Sequence, residues 1–351
     1  MNRTVLVTGG AGFVGSALVR HLIVETESRV VNVDCLTYAG TLGSVAEVAD
    51  SPRYLWERVD IRDRAALREV FERHRPDSVL HLAAESHVDR SIDDPSAFIE
   101  TNFVGTFNLL EAARASWRDR TPTIPPRFVH VSTDEVFGTL GEAGAFTPES
   151  PYRPNSPYAA SKAGADHLAR AWHRTFGLPV ISTNCSNNFG PYQFPEKFIP
   201  QMILSALEGR DLPVYGKGTN VRDWLFVDDH VRGLVRALER GRPGAVYLFG
   251  GGTELKNLDV ARRICGILDQ LRPLSDGKGH GDRIRFVSDR PGHDERYAID
   301  PTLAREALDW VPVGSFDENL RATVEWYLAR ADWWGPIRAE GYSGERLGVL
   351  E

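Results

Sequence analysis

The feature that most constrains the fold is a glycine-rich turn near the amino terminus. A β-rich run leads into residues 9–15, which read GGAGFVG, and a helix-like segment follows them. The glycines fit two spacings, Gly10-x-Gly12-x-x-Gly15 and Gly9-x-x-Gly12-x-x-Gly15, and both let the backbone approach a pyrophosphate. A pyrophosphate bound there lies at the positive end of the helix. The order of strand, glycine turn and helix therefore predicts a dinucleotide-binding βαβ unit.

A carboxylate ends the next predicted strand. Residues 30–34 read VVNVD, and Asp34 lies about 20 residues beyond the glycine turn. A carboxylate at this position accepts hydrogen bonds from the adenosine ribose and repels a 2′-phosphate, so it selects NAD over NADP. The alternative is a solvated aspartate at the end of a strand. We expect NAD to be the cofactor.

Strands and helices keep alternating through the first half of the chain. Apolar runs at 78–82, 127–131 and 179–184 predict further buried parallel strands. Helical segments are predicted from about Arg64 to His74, after an Asp63 cap, and from Pro95 to about Trp117. This alternation is typical of an α/β protein built on a parallel sheet.

The alternation fades near residue 190. We therefore predict a Rossmann-type doubly wound parallel sheet with a smaller C-terminal substrate-binding lobe. Residues 1–189 are expected to form the NAD-binding domain and to carry the catalytic residues. Residues 190–351 are expected to form mainly the substrate-binding lobe, with some segments that return to the sheet.

Charge and cysteine content exclude several classes of protein. The formal net charge of −7 argues against nucleic acid or an anionic membrane as the main partner. The three cysteines are far apart and form no C-x-x-C pair, so neither a disulfide framework nor a metal site is predicted. No apolar stretch reaches the roughly 18 residues of a membrane span, and no signal peptide is evident. We expect a cytoplasmic protein.

The most informative stretch follows the strand at 127–131. Residues 132–135 read STDE, which places two hydroxyls and two adjacent carboxylates at a strand end, where ligands bind in open α/β sheets. Tyr158 and Lys162 follow at i and i+4 on a predicted helix that begins at Ser156 and Pro157. An ammonium one turn away is expected to lower the pKa of the tyrosine, which suits a phenol that transfers protons.

These residues resemble the active-site pattern of the extended short-chain dehydrogenase/reductase superfamily. Tyr158-x-x-x-Lys162 downstream of Ser132 and Thr133 carries that resemblance, which covers almost the whole chain. Within the superfamily, Thr133-Asp134-Glu135 resembles the dTDP-glucose 4,6-dehydratases. The resemblance implies that epimerases have small or hydroxyl residues at the carboxylate positions, and that decarboxylases and GDP-mannose dehydratases keep only the glutamate.

The resemblance implies five catalytic residues. Tyr158, supported by Lys162, would take the proton of the sugar 4-hydroxyl, and Thr133 would hydrogen-bond O4. Glu135 would then remove the C5 proton and Asp134 would protonate the departing C6 hydroxyl. Two neighbouring carboxylates can divide these roles only if their pKa values differ. The sequence alone does not say which of the two holds the proton.

The resemblance also implies two sets of binding contacts. The NAD contacts are expected in the glycine turn, at the strand ends and in the loops that follow them: Gly9, Gly12, Phe13, Val14, Gly15, Asp34, Leu36, Thr37, Asp60, Ile61, Leu82, Ala83, Ala84, Ser86, Thr101, Tyr158, Lys162 and Asn188. The nucleotide-sugar contacts are expected to come mostly from the second half of the chain: Ser86, Thr133, Asn187, Glu196, Lys197, Phe198, Pro213, Tyr215, Arg222, Asn257, Arg290 and His293.

Several alternatives stay open at this point. A 4-epimerase or a decarboxylase on the same scaffold would share the oxidation at C4 but would lose no water from C6. A regulatory protein could bind NAD without turnover, although such proteins usually lack the tyrosine or the lysine. The base could be uracil instead of thymine. The resemblance further implies a homodimer, built as a four-helix bundle from the helix at 95–117 and the helix of Tyr158.

Overall fold

A computed structural model describes residues 3–118 and 124–340 of the chain. Its strands are β1 (Thr4–Thr8), β2 (Arg29–Asp34), β3 (Tyr54–Arg58), β4 (Ser78–His81), β5 (Arg127–Thr133), β6 (Val180–Cys185), β7 (Asn187–Phe189), β8 (Leu212–Tyr215), β9 (Val221–Phe226), β10 (Val246–Phe249), β11 (Glu254–Lys256) and β12 (Ile284–Val287). Seven of them form one parallel sheet in the order β10-β6-β5-β4-β1-β2-β3. The predicted doubly wound parallel sheet is confirmed.

Helices cover both faces of this sheet and build much of the second half. They are α1 (Phe13–Glu25), α2 (Arg64–His74), α3 (Val88–Asp93), α4 (Pro95–Phe98), α5 (Thr106–Trp117), α6 (Pro157–Phe176), α7 (Phe198–Leu207), α8 (Val227–Arg240), α9 (Asn257–Leu271), α10 (Thr302–Leu308), α11 (Phe316–Ala329) and α12 (Ala331–Glu340). Short 3₁₀ helices span Leu42–Val48, Asp134–Phe137 and His280–Arg283. None of the helices in the described ranges is long and apolar enough to cross a membrane.

Local sequence explains where the two best predicted helices begin. The carboxylate of Asp63 accepts hydrogen bonds from the first turn of α2 at 3.0 Å, so α2 starts at Arg64 as predicted. The hydroxyl of Ser156 accepts one from the amide of Ala159 at 3.1 Å, and Pro157 occupies the first position of α6. The Ser156 cap thus fixes the start of α6, the helix that carries Tyr158 and Lys162.

The helix predicted from Pro95 to Trp117 is not uniformly α-helical. The seven residues Ile99–Gly105, which contain Thr101, form a π-helical segment between α4 and α5. The Asn102 amide in this segment exchanges hydrogen bonds with the backbone of Glu85, both at 2.9 Å. The wider turn thus brings Asn102 inward against the loop after β4, and π turns of this kind are frequent at functional sites.

The second half of the chain adds a separate packed lobe. It contains the sheet β11-β9-β7, the pair β12-β8 and an apolar core shared by α7, α9 and α11. Strand β10 and helices α8 and α10 return to the large sheet, where β10 pairs with β6. The carboxyl ends of β1, β2, β4, β5 and β6 therefore face this lobe across a long pocket. The division at residues 189 and 190 stays a prediction.

Candidate active site

One pocket brings together the residues predicted for catalysis and for NAD. It runs along the carboxyl ends of the central strands and contains all five predicted catalytic residues. Every residue predicted to contact NAD also lines it, with the exception of Leu36. Residues far apart in the sequence, such as Gly12, Asp60 and Tyr158, therefore share one surface because parallel strands end at the same edge of the sheet.

The glycine turn leaves a space that a ligand can occupy. A side chain on these glycines would fill that space or displace the neighbouring backbone. A Cβ on Gly15 would lie 2.0 Å from the carbonyl oxygen of Gly9, and a Cβ on Gly9 would lie 2.7 Å from the amide of Ala83. No side chain in the described part of the chain caps α1, whose N-cap is Gly12. The first amides of α1 thus face the pocket as donors, and this cradle fits the pyrophosphate of NAD.

Asp34 is held rigidly at the far end of this cradle. Its two carboxylate oxygens accept the amides of Leu36 at 2.9 Å and of Ala11 at 3.0 Å. Leu36 takes a positive φ of 56°, and it is the one predicted NAD residue that does not line the pocket. The remaining lone pairs of Asp34 can accept ribose hydroxyls, as a bound dinucleotide requires.

The two carboxylates follow β5 in a short 3₁₀ turn that Thr133 caps. The Thr133 hydroxyl accepts the Glu135 amide at 3.2 Å and donates to the Asp134 carboxylate at 3.3 Å. Asp134 is 2% exposed, and its second oxygen has no hydrogen-bond partner among the described residues. Glu135 is only partly buried and faces the pocket. The adjacent acids therefore lie in different surroundings.

These surroundings separate the proton affinities of the pair. Burial raises the pKa of Asp134 well above its ordinary value, and the charges of Glu135 and Asp223 raise it further. Burial also raises the pKa of Glu135, but the charges of Arg290, Arg222 and Lys197 oppose that rise. Asp134 is thus the carboxyl that holds a proton more readily, and Glu135 the one that ionises.

Tyr158 and Lys162 share one face of α6, as their spacing predicts, but the predicted lowering of the tyrosine pKa is not found. Burial and the charge of Glu135 raise the pKa of the Tyr158 phenol well above its ordinary value, against a hydrogen bond from Thr133. The Lys162 ammonium donates to the Val131 carbonyl at 2.8 Å. In the folded polypeptide, burial and Glu135 therefore set the pKa of the phenol, and the Lys162 ammonium is engaged by the backbone.

Four further residues predicted to bind substrate line the same pocket: Ser86, Asn187, Glu196 and Lys197. The Lys197 ammonium donates to the Ser86 carbonyl at 2.7 Å. The Glu196 carboxylate, whose side chain is 1% exposed, accepts the Arg90 guanidinium at 2.9 Å. The same guanidinium lies 3.9 Å from the ring centre of Tyr38. Through Arg90, Glu196 thereby links the loop before α7 to Tyr38 in the loop after β2, beside the pocket.

The remaining predicted substrate residues do not line this pocket, but two of them act on it electrostatically. The Arg222 guanidinium lies 4.3 Å from the ring centre of Tyr297 and donates to the Asp294 carbonyl at 2.9 Å. Arg290 donates to the Asp89 carboxylate at 2.9 Å. Both positive charges lower the pKa of Glu135. They belong to the substrate lobe, on its side of the two carboxylates predicted to be catalytic.

The other members of that set pack around these arginines or in the lobe. Tyr215 donates to Asp89 at 3.1 Å, and its ring meets that of His293 edge-on at 6.2 Å. Burial lowers the pKa of His293 to about 4, so this ring is neutral and donates to Asp289 at 2.6 Å. Phe198 stacks on Trp224, Pro213 belongs to β8 and Asn257 begins α9. Their contacts with the nucleotide sugar stay predictions.

Two residues of this region, Asp89 and Tyr297, were not singled out by the sequence. Asp89 joins Arg290 to Tyr215, and Tyr297 supplies the ring under Arg222 and donates to the Asp294 carboxylate. Asp89 could have been noticed because it directly follows the polar loop after β4, in the first turn of α3. Tyr297 carries no local pattern, since only the fold brings it to Arg222.

Comparisons with known proteins agree with this site. The family model described as GDP-mannose 4,6 dehydratase matches residues 6–323. The dTDP-glucose 4,6-dehydratase of Neisseria meningitidis serogroup B (strain ATCC BAA-335 / MC58) is 56% identical over 99% of both chains. The dTDP-glucose 4,6-dehydratase 1 of Escherichia coli (strain K12) is 53% identical over 96% of both chains.

Solved structures show the same fold with NAD bound. DesIV, a dTDP-glucose 4,6-dehydratase from Streptomyces venezuelae solved with NAD and TYD bound, superposes with a TM-score of 0.87 at 44% identity, covering 95% of this chain and 99% of that one. A UDP-glucose 4-epimerase from Thermus thermophilus, in complex with NAD, has a TM-score of 0.82 at 29% identity, over 93% and 99%.

Proposed function

The chain belongs to the dTDP-glucose 4,6-dehydratase family of the extended short-chain dehydrogenases/reductases, and on that premise we propose how its residues divide the reaction. The chain is a hydro-lyase that converts dTDP-glucose to dTDP-4-keto-6-deoxyglucose with NAD as cofactor. One observation carries the proposed division of labour. A carboxyl with a strongly raised pKa, Asp134, adjoins a carboxyl faced by three cations, Glu135, in the pocket that holds the glycine cradle.

The cofactor fits the cradle formed by Gly9, Gly12 and Gly15, with its adenosine ribose at Asp34. When bound, NAD would supply the hydride acceptor for C4 of the sugar, and its reduced form would supply the hydride donor for C6 at the end of the cycle. Tyr158 would take the proton of the 4-hydroxyl as a phenolate, a form that burial disfavours in the polypeptide alone and that the positive charge of the nicotinamide ring of bound NAD would favour. The Thr133 hydroxyl would hydrogen-bond the same oxygen.

Glu135 removes the C5 proton, which the C4 ketone makes acidic. It can do so because Arg290, Arg222 and Lys197 favour its ionised form. Asp134 supplies the proton that leaves with the C6 hydroxyl as water, since its burial and the neighbouring Glu135 keep it protonated. A proton returned to C5 completes the 4-keto-6-deoxy product.

The diphosphate of the substrate is assigned to Arg222 and Arg290. Both guanidiniums are buried or nearly so, and their position beside Glu135 puts positive charge on the substrate-lobe side of the reacting sugar. A planar guanidinium can donate two parallel hydrogen bonds to a phosphate, which suits this role. The Asp89 carboxylate already orients Arg290.

An epimerase on the same scaffold is the competing function. The fold alone does not separate the two activities, because the Thermus thermophilus epimerase shares it at 29% identity. The buried Asp134 next to Glu135 does separate them, since an epimerase has no departing hydroxyl to protonate. Identities of 53% and 56% to dehydratases support the same choice.

The chain is further proposed to work as a homodimer in the cytoplasm. Ile99, Phe103 and Val104 expose 47%, 37% and 41% of their surfaces on the π-helical segment, and Phe103 packs against Gly164 of α6. This apolar face lies where the resemblance puts a four-helix bundle between subunits. Three unpaired cysteines support a reducing compartment.

The test is incubation of the purified protein with dTDP-glucose in deuterated water, followed by mass spectrometry and NMR. A product lighter by one water, with deuterium at C5 and a ketone at C4, is the expected result. Formation of dTDP-galactose without loss of water would make the chain an epimerase and refute the role of Asp134.

A further inference from the structure

A buried carboxylate, Asp166, lies behind the active-site pocket and is used by none of the steps above. It is 3% exposed and does not line the pocket. Its first oxygen accepts the His130 ring at 2.8 Å, and its second accepts the Tyr152 hydroxyl at 3.0 Å and the Asn184 amide at 3.2 Å. Burying a charge is costly, so an arrangement of three donors around one carboxylate needs a reason.

One consequence concerns the end of β5. The Asn184 amide uses its other hydrogen for the Thr133 carbonyl at 3.0 Å. Asp166 therefore orients the amide that holds the residue directly before the two catalytic carboxylates. Asn184 is 0% exposed, so these hydrogen bonds are shielded from bulk water.

The second consequence concerns Lys162, which stands one helical turn before Asp166 on α6. The Lys162 side chain is buried, and its ammonium has a single neutral acceptor, the Val131 carbonyl, in the hydrogen bonds of the described structure. Burial lowers the pKa of Lys162, and the charge of Asp166 is the largest effect that opposes this.

The titratable groups around Lys162 come from several elements. They are Tyr158 and Asp166 on α6, His81 on β4, His130 on β5, Asp134 and Glu135 after β5, and Cys185 at the end of β6. Burial lowers the pKa of both histidines, so they are neutral. Burial raises the pKa of Cys185 to about 12, so its thiol is neutral as well. Asp134 carries a proton in the proposed cycle.

Asp166 itself is built to stay charged. Burial works against its ionisation, but the hydrogen bond from His130 and the charge of Lys162 outweigh it, and the pKa of Asp166 lies below its usual range. His130 then donates from Nε2, which leaves its buried Nδ1 without a partner in the described chain. That unsatisfied nitrogen is a cost of orienting the ring toward Asp166.

We propose that Asp166 is a positioning residue of the dehydratase reaction, which holds Lys162 as an ammonium ion behind Tyr158 and fixes, through Asn184, the strand end that carries Thr133. The proposal rests on the proposed function for its link to catalysis. Its electrostatic part can be measured without any turnover.

The direct test is an NMR titration of Lys162. The chain has only five lysines, so protein labelled with ¹³C at the lysine ε-carbon gives few resonances, and Lys162→Arg assigns the one of interest. In the parent protein we expect Lys162 to stay protonated at pH 7. In Asp166→Asn its pKa should fall by about one pH unit or more, and Asp166→Glu should restore it.

Tyr152→Phe is the matched control, because it removes one donor to Asp166 but leaves the charge. It should keep the pKa of Lys162 at the parent value. An unchanged Lys162 pKa in Asp166→Asn would overturn the proposal. Should that variant fail to fold, a neutral Lys162 in the parent protein at pH 7 would overturn it equally.

A kinetic readout separates positioning from mere stability. Because Asp166 does not line the pocket, Asp166→Asn should lower kcat about 100-fold while the KM for dTDP-glucose changes less than about twofold. A fall in kcat that tracks only the loss of folded protein would mean that Asp166 is structural. If the parent protein does not turn over dTDP-glucose, the proposed function fails, whereas the Lys162 titration still decides the role of Asp166.

Discussion

The two sides of the pocket are built in different ways. On the cofactor side, glycines and one rigid aspartate create the site: Gly15 accepts no side chain, and Asp34 is fixed by two backbone amides. On the substrate side, Arg222 and Arg290 are held by partners from distant parts of the chain, Tyr297 and Asp89. The first side is made by backbone shape and the second by charged side chains with fixed partners.

This difference tells where each kind of substitution should act. Backbone shape depends on a short continuous segment, so damage there should reduce binding of the cofactor and the stability of the fold together. Charged side chains act through space on the pKa of Glu135 and on an anionic ligand. Damage on that side should change substrate affinity and leave the cofactor bound.

The largest effect is expected where the two sides meet, at Glu135. Glu135→Gln keeps the shape of the side chain but removes the base, so kcat should fall about 10²- to 10⁴-fold. Deuterium incorporation at C5 should stop, while NAD content stays at the parent level. Glu149→Gln, in the exposed loop before α6, is the control. Continued C5 exchange in Glu135→Gln would assign the base to another residue.

The pH dependence of kcat should report the same pair of carboxyls. Glu135 must be ionised, so activity should be lost as the pH falls through its pKa, which burial places above the ordinary value. Asp134 must be protonated, so activity should be lost as the pH rises through its own, more strongly raised pKa. Each limb should approach a tenfold change per pH unit. A profile flat from about pH 5 to about pH 9 would contradict this division of roles.

The cofactor side could be predicted from sequence much further than the substrate side. The glycine turn, Asp34 and the Ser156 cap of α6 are short patterns whose physical cause is local, and the structure places all of them as expected. The prediction of a lowered pKa for Tyr158 was wrong, because spacing along a helix reveals a neighbouring side chain but not the degree of burial. The environment of Glu135 depends on Arg222 and Arg290, which only tertiary packing brings near.

Substitution of the arginines should affect substrate binding alone. Arg222→Lys and Arg290→Lys keep the charge but lose the planar pair of donors, so the KM for dTDP-glucose should rise about 10- to 100-fold. The NAD content should not change, because neither side chain lines the pocket at the cradle. Arg285→Lys, an exposed position of the same lobe, is the control. Loss of NAD from either arginine variant would show that the arginines also support cofactor binding, and would contradict the distinction between the two sides.

A methyl group at Gly15 should affect the binding of NAD, in contrast to the arginine substitutions. Its Cβ would lie 2.0 Å from the Gly9 carbonyl oxygen, so the turn must shift. Gly15→Ala should lower the free energy of unfolding by about 1–3 kcal/mol and should reduce the NAD retained on purification. Gly141→Ala, whose Cβ would meet no atom within 4 Å, controls for the change of residue type. Thermal unfolding and the nucleotide released on denaturation measure both effects.

The smallest effect concerns the nucleobase, which belongs to the substrate side. Uracil lacks one methyl group, and a buried methyl contributes on the order of 1 kcal/mol, so kcat/KM for dUDP-glucose, which differs from dTDP-glucose by that methyl alone, should be about fivefold lower. The change should appear in KM, because the nucleobase would bind away from the carboxylates that are proposed to act in the chemical steps. A lower kcat at equal KM would mean that the base side of the lobe positions the sugar for catalysis, and the two sides would then be coupled through Arg222 and Arg290.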